Sequence, residues 1–68
     1  MNTEKLNEIY ESIVNGNFSQ AIQQIDEYNT KNNNDFWIDY SNYLLEIDKE
    51  KAYHYYTLTV TNYIKNKR

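Results

Sequence analysis

The chain has a single glycine and no proline in 68 residues. That glycine stands in Asn15-Gly16-Asn17-Phe18, between two stretches whose apolar residues recur every three or four positions. A glycine enters the left-handed conformation that closes a helix without the side-chain penalty other residues incur, and an apolar residue such as Phe18 just ahead of a new helix staples the chain into it. With no proline to interrupt either side, the pattern predicts a helical hairpin that turns at Gly16.

Starting at Thr3, which is placed to cap, Leu6, Ile9, Tyr10, Ile13 and Val14 follow the spacing of one helix face to about Asn15. The opposite face carries Glu4, Glu8 and Glu11, an exposed acidic ridge whose first members the helix dipole favours. Past the corner, Ser19 is placed to cap a second helix with Ala21, Ile22, Ile25 and Tyr28 on one face and Gln20, Gln23, Gln24, Asp26 and Glu27 facing away. Helices joined so closely lie antiparallel, giving a first hairpin over 3–28. Residues 29–34 have neither apolar side chains nor periodicity and read as a loop.

Asp35 is placed to cap a third helix, in which Phe36, Trp37, Ile38, Tyr40, Tyr43, Leu44, Leu45 and Ile47 leave only Asp39, Asn42 and Glu46 as a polar stripe. A helix apolar over so wide an arc is expected at the centre of the fold. Asp48 is placed to cap a fourth helix directly, with Ala52, Tyr53, Tyr56, Val60, Tyr63 and Ile64 opposite Glu50, His54, Thr61 and Lys65. This second hairpin, over 35–65, is expected to turn more tightly than the first and to end in a basic tail over 65–68. Residues 55–61 also alternate with a period of two and favour β structure. A strand there needs a neighbour that no other segment offers, so only a second copy could pair it, and helix is the reading kept.

The run Gly16-Asn17-Phe18-Ser19-Gln20-Ala21-Ile22 resembles the corner of a tetratricopeptide repeat, where a glycine, a polar residue and an aromatic precede by three positions a small alanine that lets helices pack closely. A fainter echo lies at residues 47–53, with Ala52 standing 31 residues after Ala21 against a family period of about 34. The resemblance implies protein or peptide binding on a helical face, and no catalysis. Together the pattern and the resemblance give an all-α fold, with four short helices as two antiparallel hairpins in one domain, either a compact bundle or a pair of tetratricopeptide type.

Cysteine is absent, which removes disulfides and thiolate metal sites. Eight tyrosines, two phenylalanines and one tryptophan must therefore fill the core, and because each tyrosine hydroxyl needs a partner or water, tyrosines belong at core edges and interfaces. No apolar run approaches the roughly 18 residues of a membrane span, and the first residues lack the basic-then-apolar layout of a signal peptide, so a cytoplasmic protein without membrane contact is expected. The net charge is −3, but Lys65, Lys67 and Arg68 cluster at the end, and residues 1–64 carry ten acidic groups against four lysines. Such a body repels nucleic acid and is steered towards basic protein surfaces.

His54, the only histidine, falls on the polar stripe of helix 4 with no serine or paired carboxylate set beside it by the sequence, and reads as a surface residue. Asp35 and Asp39 lack a neighbouring histidine, and Asp48 with Glu50 lacks a calcium-loop spacing, so no catalytic residue, cofactor or metal is expected. The candidates are binding residues. Glu4, Glu8 and Glu11 with Asp26 and Glu27 present spaced negative charge in the manner of proteins that imitate DNA. Tyr55 and Leu58, away from the main apolar arc of helix 4, form a second patch of the kind common at binding hot spots. The sequence thus reads as a non-enzymatic module that binds a larger basic protein, of the inhibitor or immunity type that a phage or mobile element encodes. The alternative is a structural domain whose tyrosine face pairs two copies. Direct nucleic-acid binding is disfavoured, because neither helix 3 nor helix 4 has a basic face and no cations interleave the rings.

Overall fold

The computed structural model describes residues 1–32 and 35–67, and among them every regular element is helical. Helix α1 spans Thr3–Val14, α2 Phe18–Asn32, α3 Phe36–Ile47 and α4 Ala52–Asn66. The segment with alternating character, 55–61, lies wholly inside α4. Its threonines suit a helix because a threonine hydroxyl can bond back to the carbonyl four residues earlier, as Thr59 does to Tyr55 at 2.7 Å.

The Gly16 corner forms as its sequence dictates. Gly16 has φ +80°, its N–H donates to the Ile13 carbonyl (3.1 Å), and the Asn17 N–H donates to the Ser12 carbonyl (2.8 Å). These two bonds make a Schellman motif, which satisfies carbonyls that the end of α1 leaves open. The Asn17 carbonyl then accepts the first helical bond of α2 from Ala21 (3.0 Å). Ser19 consequently lies inside the first turn of α2 instead of capping it. The cap of α1 also lies earlier than expected, by one residue: the Asn2 side chain, not that of Thr3, accepts the Lys5 N–H (3.2 Å).

Helix α2 continues through residues 29–32 of the loop expected over 29–34; Asn33 and Asn34 lie outside the described residues. Two side-chain bonds explain the extension. The Thr30 hydroxyl donates to the Asp26 carbonyl (3.0 Å), and Asn29 Oδ1 accepts the Phe36 N–H (2.8 Å), so the end of α2 helps to hold the start of α3. Asp35 caps α3 as expected, accepting the Trp37 N–H at 2.9 Å. Asp48 does not cap α4: it closes α3 and accepts the Lys51 N–H (3.2 Å) within the intervening turn. The α3–α4 connection takes residues 48–51 and the α1–α2 connection residues 15–17, so the second turn is the longer.

The hairpins pack across one interior. Leu6 and Ile9 from α1, Ile25 and Tyr28 from α2, Phe36, Tyr40, Tyr43 and Leu44 from α3 and Ala52 from α4 form a continuous buried cluster. Rings carry it: Phe36 stacks on Tyr40 (4.8 Å), and Trp37 meets Tyr56 (5.8 Å) and Tyr63 (5.5 Å) edge-on. Tyrosines reach their partners at the rim, where Tyr43 donates to Asn7 Oδ1 (2.6 Å) and Tyr28 to Asp39 Oδ2 (2.6 Å). At the fully buried Tyr40, the partner is the equally buried Thr59 at 2.9 Å. The Thr59 proton is committed to the Tyr55 carbonyl, so Tyr40 is the donor.

Three expectations about faces are corrected. Val14 is exposed and its inward place is taken by Ser12, which is buried and donates to Gln24 Oε1 at 2.9 Å. Helix α3 is not central: Ile38, Leu45 and Ile47 are exposed, because none of the other described helices covers its outer side. Helix α4 is rotated from its expected orientation, with Tyr55 and Thr59 turned inward and Tyr53 and Ile64 outward. Small Ala52 and the self-satisfied Thr59 hydroxyl let α4 approach the rings of α3 more closely than a tyrosine at either place would.

Candidate functional site

The acidic candidates divide into two groups. Glu4, Glu8, Glu11 and Glu27 are exposed. Glu8 lies 3.4 Å from Lys5 in a solvated i,i+3 pair. A groove of about 290 Å3 between α1 and α2 is lined by Glu8 and Glu27 but also by Lys5 and Lys31, so its charges balance. Beside it, a shallow depression of about 240 Å3 towards the Gly16 corner is lined by Glu8, Glu11, Ser12, Asn15, Asn17, Gln20 and Gln24. This second depression holds two carboxylates and several amides and, among the described residues, is lined by no cationic side chain.

Asp26 belongs elsewhere. It is half-buried, with Oδ1 accepting from the Tyr63 hydroxyl (2.8 Å) and Oδ2 from Lys67 Nζ (2.6 Å). Lys67 also lies 5.5 Å over the Tyr63 ring. The Lys67 ammonium beside Asp26 holds the carboxyl below its ordinary range, and Asp26 in return raises the lysine. Asp26 is therefore the anchor of a clasp between α2 and the end of α4, and its charge is already matched. Of the basic tail expected over 65–68, Lys65 is helical, Lys67 is in the clasp and Arg68 lies outside the described residues.

The Tyr55 and Leu58 pair does not form one open patch. Tyr55 packs against the core and meets Tyr10 edge-on at 5.3 Å, while half-buried Leu58 lines a separate surface groove with Tyr53, His54, Thr57 and Thr61. His54 is exposed, with its ring edge-on to Tyr55 at 5.2 Å. Among the described residues no group of three or more His, Asp or Glu is placed to hold a metal ion, and no helix is long and apolar enough to cross a membrane.

Sequence reasoning missed the outer face of the α3–α4 hairpin. Leu45 and Ser41 from α3 meet Ala52, Tyr53 and Tyr56 from α4 in an apolar groove of about 210 Å3. Tyr53 is 82 % exposed, and Ile38, two turns before Leu45, is 60 % exposed. A signal was present in the width of the apolar arc of α3: in a chain of mean hydropathy −0.98, an excess of apolar residues on one helix cannot all be covered by three short neighbours. No protein-family model matches this chain, and neither a curated protein nor a solved structure does.

Proposed function

We propose that this protein acts by binding another protein through the outer face of its α1–α2 hairpin, carries no chemistry of its own and takes a partner with a basic surface. The observation that carries the reading is the depression lined by Glu8 and Glu11 with Asn15, Asn17, Gln20 and Gln24, and by no cation among the described residues. Carboxylates flanked by amide oxygens suit the forked donors of arginine or the ammonium of lysine. Exposed Glu4 and Glu27 extend the field around it and steer such a partner inward. The likeness of the Gly16 corner to a tetratricopeptide hairpin points to the same class of activity. A small acidic protein of this form fits the role of an inhibitor or immunity factor that occupies the functional groove of a larger basic target, and a phage or mobile element is a fitting source of one.

The test is a comparison of immobilised wild type with the double variant Glu8→Lys/Glu11→Lys. Both positions are exposed, so the reversal leaves the fold intact. The wild type should retain basic proteins from a lysate that elute between about 0.1 and 0.5 M salt, as screened charge contacts do, and the double variant should retain none of them. Retention of the same proteins by both, or elution indifferent to salt, would sink the reading.

A further inference from the structure

We propose that two copies of this chain pair through the outer face of the α3–α4 hairpin, with Tyr53 of each copy seated in a groove of the other. An isologous interface needs a projection and a recess on the same patch. Tyr53 lines both the groove with Ser41, Leu45, Ala52 and Tyr56 and the groove with His54, Thr57, Leu58 and Thr61, so it stands as a ridge between two recesses of about 210 and 320 Å3. Its 82 % exposure makes it the most projecting of the large apolar side chains. Ile38, on the Leu45 side of α3, and Ile64, three turns beyond Tyr53 on α4, lengthen the apolar stripe at 60 % and 58 % exposure.

Charge selects the occupant. Among the described residues no Asp, Glu, Lys or Arg lines either groove. A basic partner finds no carboxylate here, whereas a second copy brings an equally neutral face; the like net charge of −3 on two copies opposes the contact only at a distance that ordinary salt screens. A standard interface takes about 800 Å2 per partner, which is about one face of a body measuring 29 × 23 × 17 Å with 4600 Å2 of surface. The two grooves share no lining residue with the α1–α2 depressions, so pairing leaves Glu8 and Glu11 free and makes the assembly bivalent for its basic target.

The experiment is sedimentation equilibrium of the pure chain from about 10 μM to about 1 mM, a range that spans weak and moderate association. The wild-type mass should rise with concentration towards twice the 8.3 kDa of one chain. Tyr53→Glu should stay at the single-chain mass throughout with an unchanged far-ultraviolet helical spectrum, since the position is solvent-exposed. Leu45→Asn, at a 51 % exposed site, is the second variant and should weaken pairing at least tenfold. A wild type that remains single up to 1 mM overturns the proposal and hands the face to a foreign apolar partner, and variants that pair as the wild type does overturn it too. No basic protein is present in the measurement, so its failure leaves the reading of the α1–α2 face standing, and the failure of that reading leaves pairing untouched.

Discussion

Tyr40 shows how one buried phenol ties stability to pH. Burial pushes its hydroxyl up to about 12, against an ordinary value of 10.0. Because the folded chain keeps the proton that the unfolded chain gives up above pH 10, the stabilisation is complete below pH 10 and is lost as pH rises through 12. For this group alone the loss is roughly 2–3 kcal/mol, a large share of the stability of so small a domain. Burial likewise raises Tyr28, Tyr43 and Tyr63, all of which have carboxylate or amide partners at the rim, so they act in the same direction. Alkaline unfolding followed by circular dichroism should therefore set in between pH 10 and 12. Tyr40→Phe keeps the ring stack on Phe36, and its loss leaves the Thr59 hydroxyl still bonded to Tyr55. It should cost about 1 kcal/mol at pH 7 and shift the alkaline midpoint upward; an unchanged midpoint would show that other phenols control it.

Between residue and fold, the elements were legible wherever a local bond decides them. The Gly16 corner, the Asp35 cap and the four-helix order follow from residues within a few positions of one another, and each is present. Gly16 offers a direct measure of that local control. At φ +80° no atom lies within 4 Å of a Cβ built there, so Gly16→Ala meets no clash and its cost is the left-handed backbone alone. That cost is about 1–2 kcal/mol, and Gly16→Asn should cost less because asparagine tolerates this conformation, an order that urea titration of the two variants would check. What was not legible depends on partners far along the chain. Which of Tyr53 and Tyr55 faces inward is fixed by Tyr10 on α1, against which Tyr55 packs, and by the small Ala52 and Thr59 that set how closely α4 docks. Periodicity identifies an apolar arc but not its rotation when both edges of that arc are tyrosine. The same limit applied to the candidate site: the exposure of Glu8 and Glu11 was readable from α1 alone, whereas the withdrawal of Asp26 into a clasp depended on Tyr63 and Lys67, 37 and 41 residues away.

At the scale of the molecule, that clasp joins the first hairpin to the second from outside the core, and its pH dependence runs opposite to that of the phenols. Lys67, by its hydrogen bond, and then Tyr63 hold the Asp26 carboxyl below the ordinary value of 3.8, opposed by partial burial. A carboxyl depressed in the folded state adds stability that is present above the unfolded value and is lost as pH falls through the folded one. The clasp should thus be intact above the ordinary carboxylate value of 3.8 and weaken progressively as pH falls below it. Both charged side chains are more than two-fifths exposed, at 43 % and 47 %, so solvent and salt discount the pair heavily. Asp26→Asn retains an acceptor for Tyr63 but loses the charge that holds Lys67. At pH 7 and low salt it should lower the melting temperature by about 2–4 °C. In about 1 M salt, where screening reaches within a few ångströms, the variant and the wild type should melt together, and the gap between them should narrow as pH falls below 3.8. A deficit that neither salt nor falling pH diminishes would mean that Asp26 acts through its shape and its bond to Tyr63, and that the hairpins are joined by the ring-filled interior without help from charge.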